Sequence, residues 1–193
     1  MKLILVRHGQ TQANLAQEFV GWSQSSLTDQ GYYQARQVAL GIQTPPDRIV
    51  ASDLDRTLTT AQVVCSTNQW SHIPVETMSE FREIHFGSWE GQTAHQIQSQ
   101  DPIQWQAYLD HPLGFTFPQG ESLQMVKARV QRGLRTLDQE LGRQEVVLLV
   151  SHLGVLRVIQ DWLAPEVGYR FWDYTFPQGT FKVLDLANRH GEF

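Results

Sequence analysis

Residues 145–154 read EVVLLVSHLG. The apolar run from Val146 to Val150 shows no polar alternation, which is typical of a strand that is buried on both faces of a parallel sheet. A helical pattern follows from residue 154 to residue 163 and stops before Pro165, because proline cannot continue a helix. Polar residues therefore lie where a buried strand gives way to a helix, and this unit predicts an α/β fold.

The same alternation of strand and helix recurs along the chain. Thr28 is the predicted N-cap of a helix that Gly41 ends. A helix that opens at Glu121 carries an apolar stripe as far as Leu141, and Gly142 ends it. A further helix is predicted at 54–66, and strands are predicted at 3–6, 48–52, 145–151 and 180–186. This alternation predicts a three-layer sandwich, a mostly parallel sheet with helices on both faces.

The chain has 193 residues, which is enough for one domain with a buried core. We therefore predict a single domain over residues 1–193. Around residues 92–120 the pattern changes, because aromatic residues are interspersed with Pro102, Pro112 and Pro118. A segment this short does not build an independent core, so we expect a cap-like insertion of helices and loops over one end of the sheet.

Composition narrows the classes of partner and location. Fifteen Lys and Arg against twenty Asp and Glu give a formal net charge of -5, which disfavours binding to nucleic acid or to anionic membranes. The opening apolar run stops at Arg7 and is too short for a membrane span or a signal peptide. The single cysteine, Cys65, cannot form an intramolecular disulfide, so we predict a cytoplasmic protein. Assembly as a homodimer stays open.

Three polar clusters follow predicted strands, at 7–9, 52–56 and 151–154. Because ligands bind outside the carboxyl ends of parallel strands, the three clusters should meet in one crevice. Together they bring two arginines, two histidines and the N-termini of helices, and guanidinium groups suit the geometry of phosphate. A phosphoryl group is therefore the expected ligand.

Two alternatives remain for the histidines. His8 and His152 could bind zinc with a third ligand such as His85, but the neighbouring arginines would repel a divalent cation and no close ligand spacing is present. Each histidine could instead satisfy backbone groups at a strand end. The coincidence of two such histidines with two arginines favours an anion site over both alternatives.

Five segments resemble, in order, the signature segments of the histidine phosphatase superfamily, also called phosphoglycerate-mutase-like proteins. They are RHGQTQAN at 7–14, LTDQGYYQA at 27–35, SDLDRTLTTA at 52–61, FREIHFGSWEG at 81–91 and SHLGV at 151–155. The resemblance spans almost the whole chain. It implies a phosphoglycerate mutase-like arrangement of the α/β fold and a phosphatase or mutase activity.

The resemblance implies that His8 attacks phosphorus and forms a phosphohistidine, which water then hydrolyses. The ring must be neutral to attack, so its other nitrogen should donate to a backbone carbonyl. Glu83 is the implied general acid, with a proton affinity raised by partial burial. Glu80 and Glu90 are competing carboxylates, but the spacing to the glycines of the same segment selects Glu83.

The remaining site residues also come from the resemblance. The implied phosphate-binding residues are Arg7, Asn14, Arg56, His152 and Gly154. The residues implied to contact the rest of the substrate are Gln10, Val20, Gly21 and His85. Because side-chain cations take the place of a metal ion, neither a metal nor a cofactor is expected.

The expected substrate is a small phosphomonoester that is hydrolysed. A phosphoglycerate mutase needs extra cations for a second anionic group, and residues 92–126 contain no Lys or Arg. The segments GES at 120–122 and QGT at 178–180 resemble those of α-ribazole phosphatases, so α-ribazole 5'-phosphate is one candidate substrate. A phosphoglycerate mutase and a broad-specificity or phosphoserine phosphatase are the alternatives.

Overall fold

The computed structural model describes residues 1–140 and 145–186. Within them, one sheet contains β1 (Lys2–Arg7), β2 (Arg48–Ala51), β3 (Val75–Thr77), β4 (Val146–Ser151) and β5 (Phe181–Asp185). The strands lie in the order β3-β2-β4-β1-β5, and β5 is antiparallel to β1 while the other neighbours are parallel. The prediction of an α/β fold with a mostly parallel sheet is confirmed.

The register of the central strands aligns their carboxyl ends. Arg7 at the end of β1 pairs with Ser151 at the end of β4. On the other side of β4, Ala51 at the end of β2 pairs with Val150. The three polar clusters recognised in the sequence therefore begin at the same edge of the sheet.

Helices cover both faces of the sheet. In the described chain they are α1 (Gln12–Leu15), α2 (Asp29–Gly41), α3 (Asp55–Thr67), α4 (Ala94–Gln100), α5 (Pro102–Asp110), α6 (Leu123–Glu140) and α7 (Leu153–Leu163). Residues of α6 and α7 share one core with Leu3 and Leu5 of β1, whereas residues of α2 and α3 share another with Ile4 and Val6. Because successive strand residues face opposite ways, these two cores confirm the three-layer architecture.

Local sequence explains where these helices begin. Thr28 caps α2, because its hydroxyl accepts a hydrogen bond from the Gly31 N–H at 3.1 Å. The helix predicted to open at Glu121 begins at Leu123, where the Ser122 hydroxyl accepts the N–H of Met125 at 3.3 Å. The predicted end of that helix, Leu141 and Gly142, lies outside the described residues.

No helix within residues 1–140 and 145–186 combines the length and the apolar character that crossing a membrane requires.

The segment expected to form a cap contains α4 and α5. Its buried Phe115 stacks on Trp89, with ring centroids 5.3 Å apart, and Phe117 packs in the same aromatic cluster. Phe19 and Phe86, which lie outside the segment, complete that cluster. This segment therefore shares its aromatic core with residues that lie outside it.

Candidate active site

Two histidine rings meet at the ends of the central strands. The backbone N–H of His8 donates to the backbone carbonyl of Ser151 at 3.0 Å, which holds His8 beside the end of β4. His152 is the N-cap of α7. Both side chains are buried, and their ring centroids are 5.1 Å apart. Arg56 and Arg7 lie close enough that their charges lower the pKa of both rings. We call Arg7, His8, Arg56 and His152 the strand-end pocket.

The His8 imidazole is neutral and has a defined tautomer. Its Nδ1 lies 2.7 Å from the Gly9 carbonyl oxygen, and because a carbonyl can only accept, Nδ1 carries the proton. Burial lowers the pKa of His8 to about 3, and the charges of Arg56 and Arg7 also lower it. Nε2 therefore carries a lone pair instead of a proton at neutral pH, as a nucleophile requires.

The His152 ring presents a nitrogen without a protein partner. Its Nε2 is hydrogen-bonded to the Ser52 hydroxyl at 2.7 Å, whereas Nδ1 is buried and has no partner among the described residues. When Ser52 donates to Nε2, the ring proton lies on Nδ1, and this buried nitrogen becomes a donor. Burial, together with the charge of Arg56, lowers the pKa of His152 well below its ordinary value, so the ring is neutral.

Two guanidinium groups supply the positive charge of the strand-end pocket. Arg7 ends β1, and its Nε is buried without an acceptor in the described part of the chain. Arg56 lies in the first turn of α3 and donates to the carbonyl oxygens of Ser23 at 3.0 Å and Gly21 at 2.6 Å. Burial lowers the pKa of both arginines, but arginine remains charged at physiological pH.

Glu83 lies on the rim of the strand-end pocket. Its carboxylate accepts hydrogen bonds from the N–H of Ile84 at 3.0 Å and from the N–H of Gly154 at 3.2 Å. A Cβ atom at Gly154 would lie 2.4 Å from a Glu83 oxygen, so a side chain at this position would displace the carboxylate from its present place. The negative charge of Glu83 partly offsets the lowering of the pKa of Arg7 and Arg56 that burial causes.

The two competing carboxylates make different contacts. Glu90 accepts hydrogen bonds from the backbone N–H groups of Trp22 at 2.7 Å and Ser23 at 2.6 Å, so it anchors the loop before α2. Glu80 lines a separate surface pocket with Arg82. Of the three carboxylates, Glu83 is the one whose charge acts on both arginines of the strand-end pocket.

Asn14 and Gln10 have well-defined protein partners. The side-chain oxygen of Asn14 accepts from the Thr11 N–H at 3.2 Å and from the Gln178 amide at 3.0 Å. Gln10 accepts from the Thr28 hydroxyl at 2.9 Å. Both side chains therefore tie the loop after β1 to neighbouring segments.

An apolar cavity of about 190 Å³ adjoins the strand-end pocket on the side of Glu83. Its wall includes Glu83 and Gly154, and its one cation among the described residues is Arg157. The other wall residues are mainly aromatic or aliphatic: Phe19, Ile84, Phe86, Tyr108, Pro112, Phe117, Leu123, Leu153, Phe171 and Trp172. Sequence analysis identified neither this cavity nor Arg157.

The four residues that the sequence assigned to the rest of the substrate are not part of this wall: Gln10, Val20, Gly21 and His85. The Gly21 carbonyl positions Arg56. The His85 ring stacks on Trp22, with centroids 4.7 Å apart.

In the described residues, no group of three or more His, Cys, Asp or Glu side chains is arranged to hold a metal ion.

Arg129 holds the segment that carries Glu83, and sequence analysis missed it. From α6 it donates to three carbonyl oxygens of that segment: Glu80 at 2.7 Å, Arg82 at 2.6 Å and Glu83 at 2.9 Å. Arg129 also forms a buried ion pair with Glu121 at 2.8 Å. Its place beside Val126 and Val130 on the apolar stripe of α6 was the available signal, because arginine is rarely buried without a partner.

Known proteins are similar to this chain in sequence and in fold. The profile of the histidine phosphatase superfamily (branch 1) matches residues 3–193. The adenosylcobalamin/α-ribazole phosphatase of Salmonella typhimurium is 30% identical over 188 residues, which cover 97% of this chain and 91% of that protein. The α-ribazole phosphatase of Shigella flexneri matches with a TM-score of 0.85 and 29% identity, over 96% of this chain and 90% of that one.

A crystal structure of phosphoglycerate mutase from Thermus thermophilus matches with a TM-score of 0.70 and 32% identity, over 96% of this chain and 93% of that one. The expected phosphoglycerate mutase-like fold is confirmed. The superfamily profile covers nearly all of the residues from which the sheet, the strand-end pocket and the apolar cavity are built. The chain belongs to branch 1 of the histidine phosphatase superfamily, and it is a phosphatase.

Proposed function

We propose that this phosphatase hydrolyses small phosphomonoesters through a phosphohistidine on His8, without a metal ion. The supporting observation is that two buried nitrogens without protein partners, Arg7 Nε and His152 Nδ1, belong to the same pocket as a neutral imidazole. A buried donor without an acceptor costs about 1–3 kcal/mol. Phosphoryl oxygens would satisfy Arg7 Nε, and they would satisfy His152 Nδ1 in the tautomer in which the Ser52 hydroxyl donates to Nε2. With Arg56, the protein itself supplies the charge that phosphoryl transfer needs.

In the first half-reaction, Nε2 of His8 attacks phosphorus in line with the ester bond. The N–P bond forms while the bond from phosphorus to the leaving oxygen breaks, and protonated Glu83 donates its proton to that oxygen. Arg7, Arg56 and His152 bind the equatorial phosphoryl oxygens, over which the charge is spread. The products of this step are the phosphoenzyme and a free alcohol.

In the second half-reaction, water attacks the phosphohistidine. Glu83, now ionised, accepts a proton from the water, and the N–P bond breaks to release inorganic phosphate. The hydrogen bond from Nδ1 to the Gly9 carbonyl keeps the ring in one orientation throughout, so Nε2 is again unprotonated at the end of the cycle. Glu83 therefore acts as acid in one step and as base in the next.

We further propose that the leaving group has a flat or apolar body. The apolar cavity lies beside Glu83, where the leaving oxygen takes up its proton, and aromatic side chains form much of its wall. α-Ribazole 5'-phosphate has a heteroaromatic nucleoside as its leaving group, and the α-ribazole phosphatases among the relatives support this candidate.

A phosphoserine or broad-specificity phosphatase would use the same chemistry on other leaving groups. A phosphoglycerate mutase is the second candidate, and the solved mutase of the same fold favours it. It ranks lower because the wall of the cavity is mainly aromatic and aliphatic, which suits an apolar leaving group better than a small, highly charged phosphoglycerate. The cytoplasmic location, and the lack of binding to nucleic acid or membranes, stay predictions.

The chemistry is tested with p-nitrophenyl phosphate in the presence of EDTA. We expect wild-type protein to release phosphate, and we expect His8→Ala to lose turnover while keeping its thermal unfolding transition. His72→Ala is the control, because His72 is exposed and belongs to neither the pocket nor the cavity. Full activity of His8→Ala, or complete loss of wild-type activity with EDTA, would contradict the proposal.

The substrate is tested by comparing kcat/KM for α-ribazole 5'-phosphate, phosphoserine and 3-phosphoglycerate. We expect the nucleoside phosphate to be preferred, because its ring system can occupy the apolar cavity. A separate assay supplies 3-phosphoglycerate with catalytic 2,3-bisphosphoglycerate and measures 2-phosphoglycerate. Rapid isomerisation would establish the mutase and reject the proposed substrate class.

A further inference from the structure

Arg157 is a cation in the otherwise mainly apolar cavity. It lies on α7, one turn after Gly154, and it lines the same wall as Glu83. Among the residues that the structure describes, it is the only Lys or Arg in that wall. A guanidinium group in such a place is far more selective for a ligand than the aromatic rings around it.

The guanidinium of Arg157 is held in place by backbone carbonyls. Its Nε donates to the Tyr174 carbonyl at 3.0 Å, and one terminal nitrogen donates to the Trp172 carbonyl at 3.3 Å. The group also lies over the Trp172 ring, 5.4 Å from the centroid. Of the five N–H donors of an arginine, the others have no acceptor in residues 1–140 and 145–186.

The cavity wall places Arg157 on the leaving-group side of the site, because Glu83 and Tyr108 line the same wall. Burial lowers the pKa of Arg157, while the negative charge of Glu83 raises it. The positive charge of Arg157 also lowers the pKa of Arg7. A partly buried cation in this position is stabilised by an oxygen acceptor on the bound alcohol.

We propose that Arg157 is a specificity-determining residue that binds an oxygen acceptor on the leaving group, and a carboxylate more tightly than a neutral carbonyl. This inference rests on the proposed phosphatase function at His8. The apolar walls hold the carbon framework of the leaving group, and the remaining N–H donors of Arg157 bind its oxygen. The lack of cations in residues 92–126 therefore does not exclude an anionic group on the substrate, because α7 supplies the cation.

The test compares phenyl phosphate, 4-carbamoylphenyl phosphate and 4-carboxyphenyl phosphate. For each substrate, kcat/KM of Arg157→Gln is divided by kcat/KM of wild type. This ratio is independent of differences in intrinsic reactivity among the three aryl phosphates. We expect a loss of about 10-fold or more for the carboxylate, a smaller loss for the amide, and a change within about twofold for phenyl phosphate. Arg36→Gln, at an exposed position of α2, is the control and should leave all three ratios near one.

Equal losses on all three substrates, or no loss on the carboxylate, would overturn the inference, because a purely structural clamp does not discriminate among them. If Arg157→Gln does not fold, Arg157→Lys serves in its place, and its loss must still be larger for the carboxylate. Hydrolysis of phenyl phosphate by wild type and its loss in His8→Ala monitor the proposed function separately. The proposed function can therefore stand when the inference about Arg157 fails.

Discussion

The strand-end pocket and the apolar cavity meet at Glu83, but they are built in different ways. The pocket is charged and buried, and its side chains follow neighbouring strands whose register fixes their positions. The cavity is mainly apolar, and its wall combines side chains from distant parts of the chain: Phe19, the segment around Glu83, residues 92–120, the start of α6, α7 and the short 3-10 helix Phe171–Asp173. This contrast separates a pocket that performs the same chemistry on every substrate from a cavity that selects among leaving groups.

After the loss of turnover expected for His8→Ala, the largest effect should come from removing a cation of the strand-end pocket. Arg56→Gln should lower kcat/KM by about 10³-fold, and by the same factor for every substrate, because Arg56 binds the phosphoryl group common to all of them. The measurement is kcat/KM for an aryl and an alkyl phosphate, with Arg36→Gln as the control and a thermal melt to verify folding. A loss that differs strongly between the two substrates would remove the distinction between pocket and cavity.

Glu83, where the two regions meet, should give an effect that depends on the leaving group. Glu83→Gln should lower kcat by about 10²-fold for an alkyl phosphate, whose oxygen needs a proton to leave. The first half-reaction with p-nitrophenyl phosphate should be much less affected, because nitrophenolate leaves without a proton. Burst kinetics measure this step directly. Glu80→Gln is the matched control, and a similar loss in that variant would reassign the acid.

Burial of neutral His8 should make the pocket sensitive to acid. Its pKa is about 3 in the folded chain against about 6.5 when unfolded, so below pH 6.5 the unfolded chain binds a proton that the folded chain does not. Stability is therefore lost as the pH falls from about 6.5 towards 3. Between pH 7 and pH 5, the free energy of unfolding, measured with urea, should fall by about 2 kcal/mol more in wild type than in His8→Asn. His72→Asn should show the same pH dependence of the free energy of unfolding as wild type. If His8→Asn also showed the wild-type pH dependence, that result would contradict a buried neutral ring at position 8.

The smallest effect should come from trimming the cavity. Tyr108→Leu should raise KM for an aryl phosphate by about threefold, because one ring contact is worth about 0.5–1.5 kcal/mol. KM for a short alkyl phosphate should not change. Tyr33→Leu, at an exposed position of α2, is the control. Equal changes for both substrates would mean that the cavity does not hold the leaving group.

The same contrast explains what the sequence could predict. Arg7, His8 and His152 directly follow buried strands, and the carboxyl ends of parallel strands meet at one edge, so the strand-end pocket was predictable. The cavity brings together segments that are far apart in the chain, and no local pattern specifies their approach. Arg157 was missed because an arginine on a helix usually faces solvent, and its place depends on the carbonyls of Trp172 and Tyr174.

The fold was predictable where the local sequence pattern is long and clear. The strands that the sequence predicted have apolar runs, and they appear within one or two residues of the expected bounds. Strand β3 was missed because its three residues, Val75–Thr77, carry too short a pattern at the edge of the sheet. Arg129 was missed for a different reason: its place on the apolar stripe of α6 indicated burial, but three of its acceptors are backbone carbonyls, which have no signature in the sequence.

The central claim is that His8 carries the phosphoryl group, and rapid-quench trapping with radiolabelled p-nitrophenyl phosphate tests it most directly. In Glu83→Gln the first half-reaction needs no acid for this substrate, while water attack lacks its base, so the labelled enzyme should accumulate. The account predicts alkali-stable, acid-labile label on the peptide that contains His8. Label on another residue, or wild-type turnover with no labelled enzyme in either protein, would contradict it.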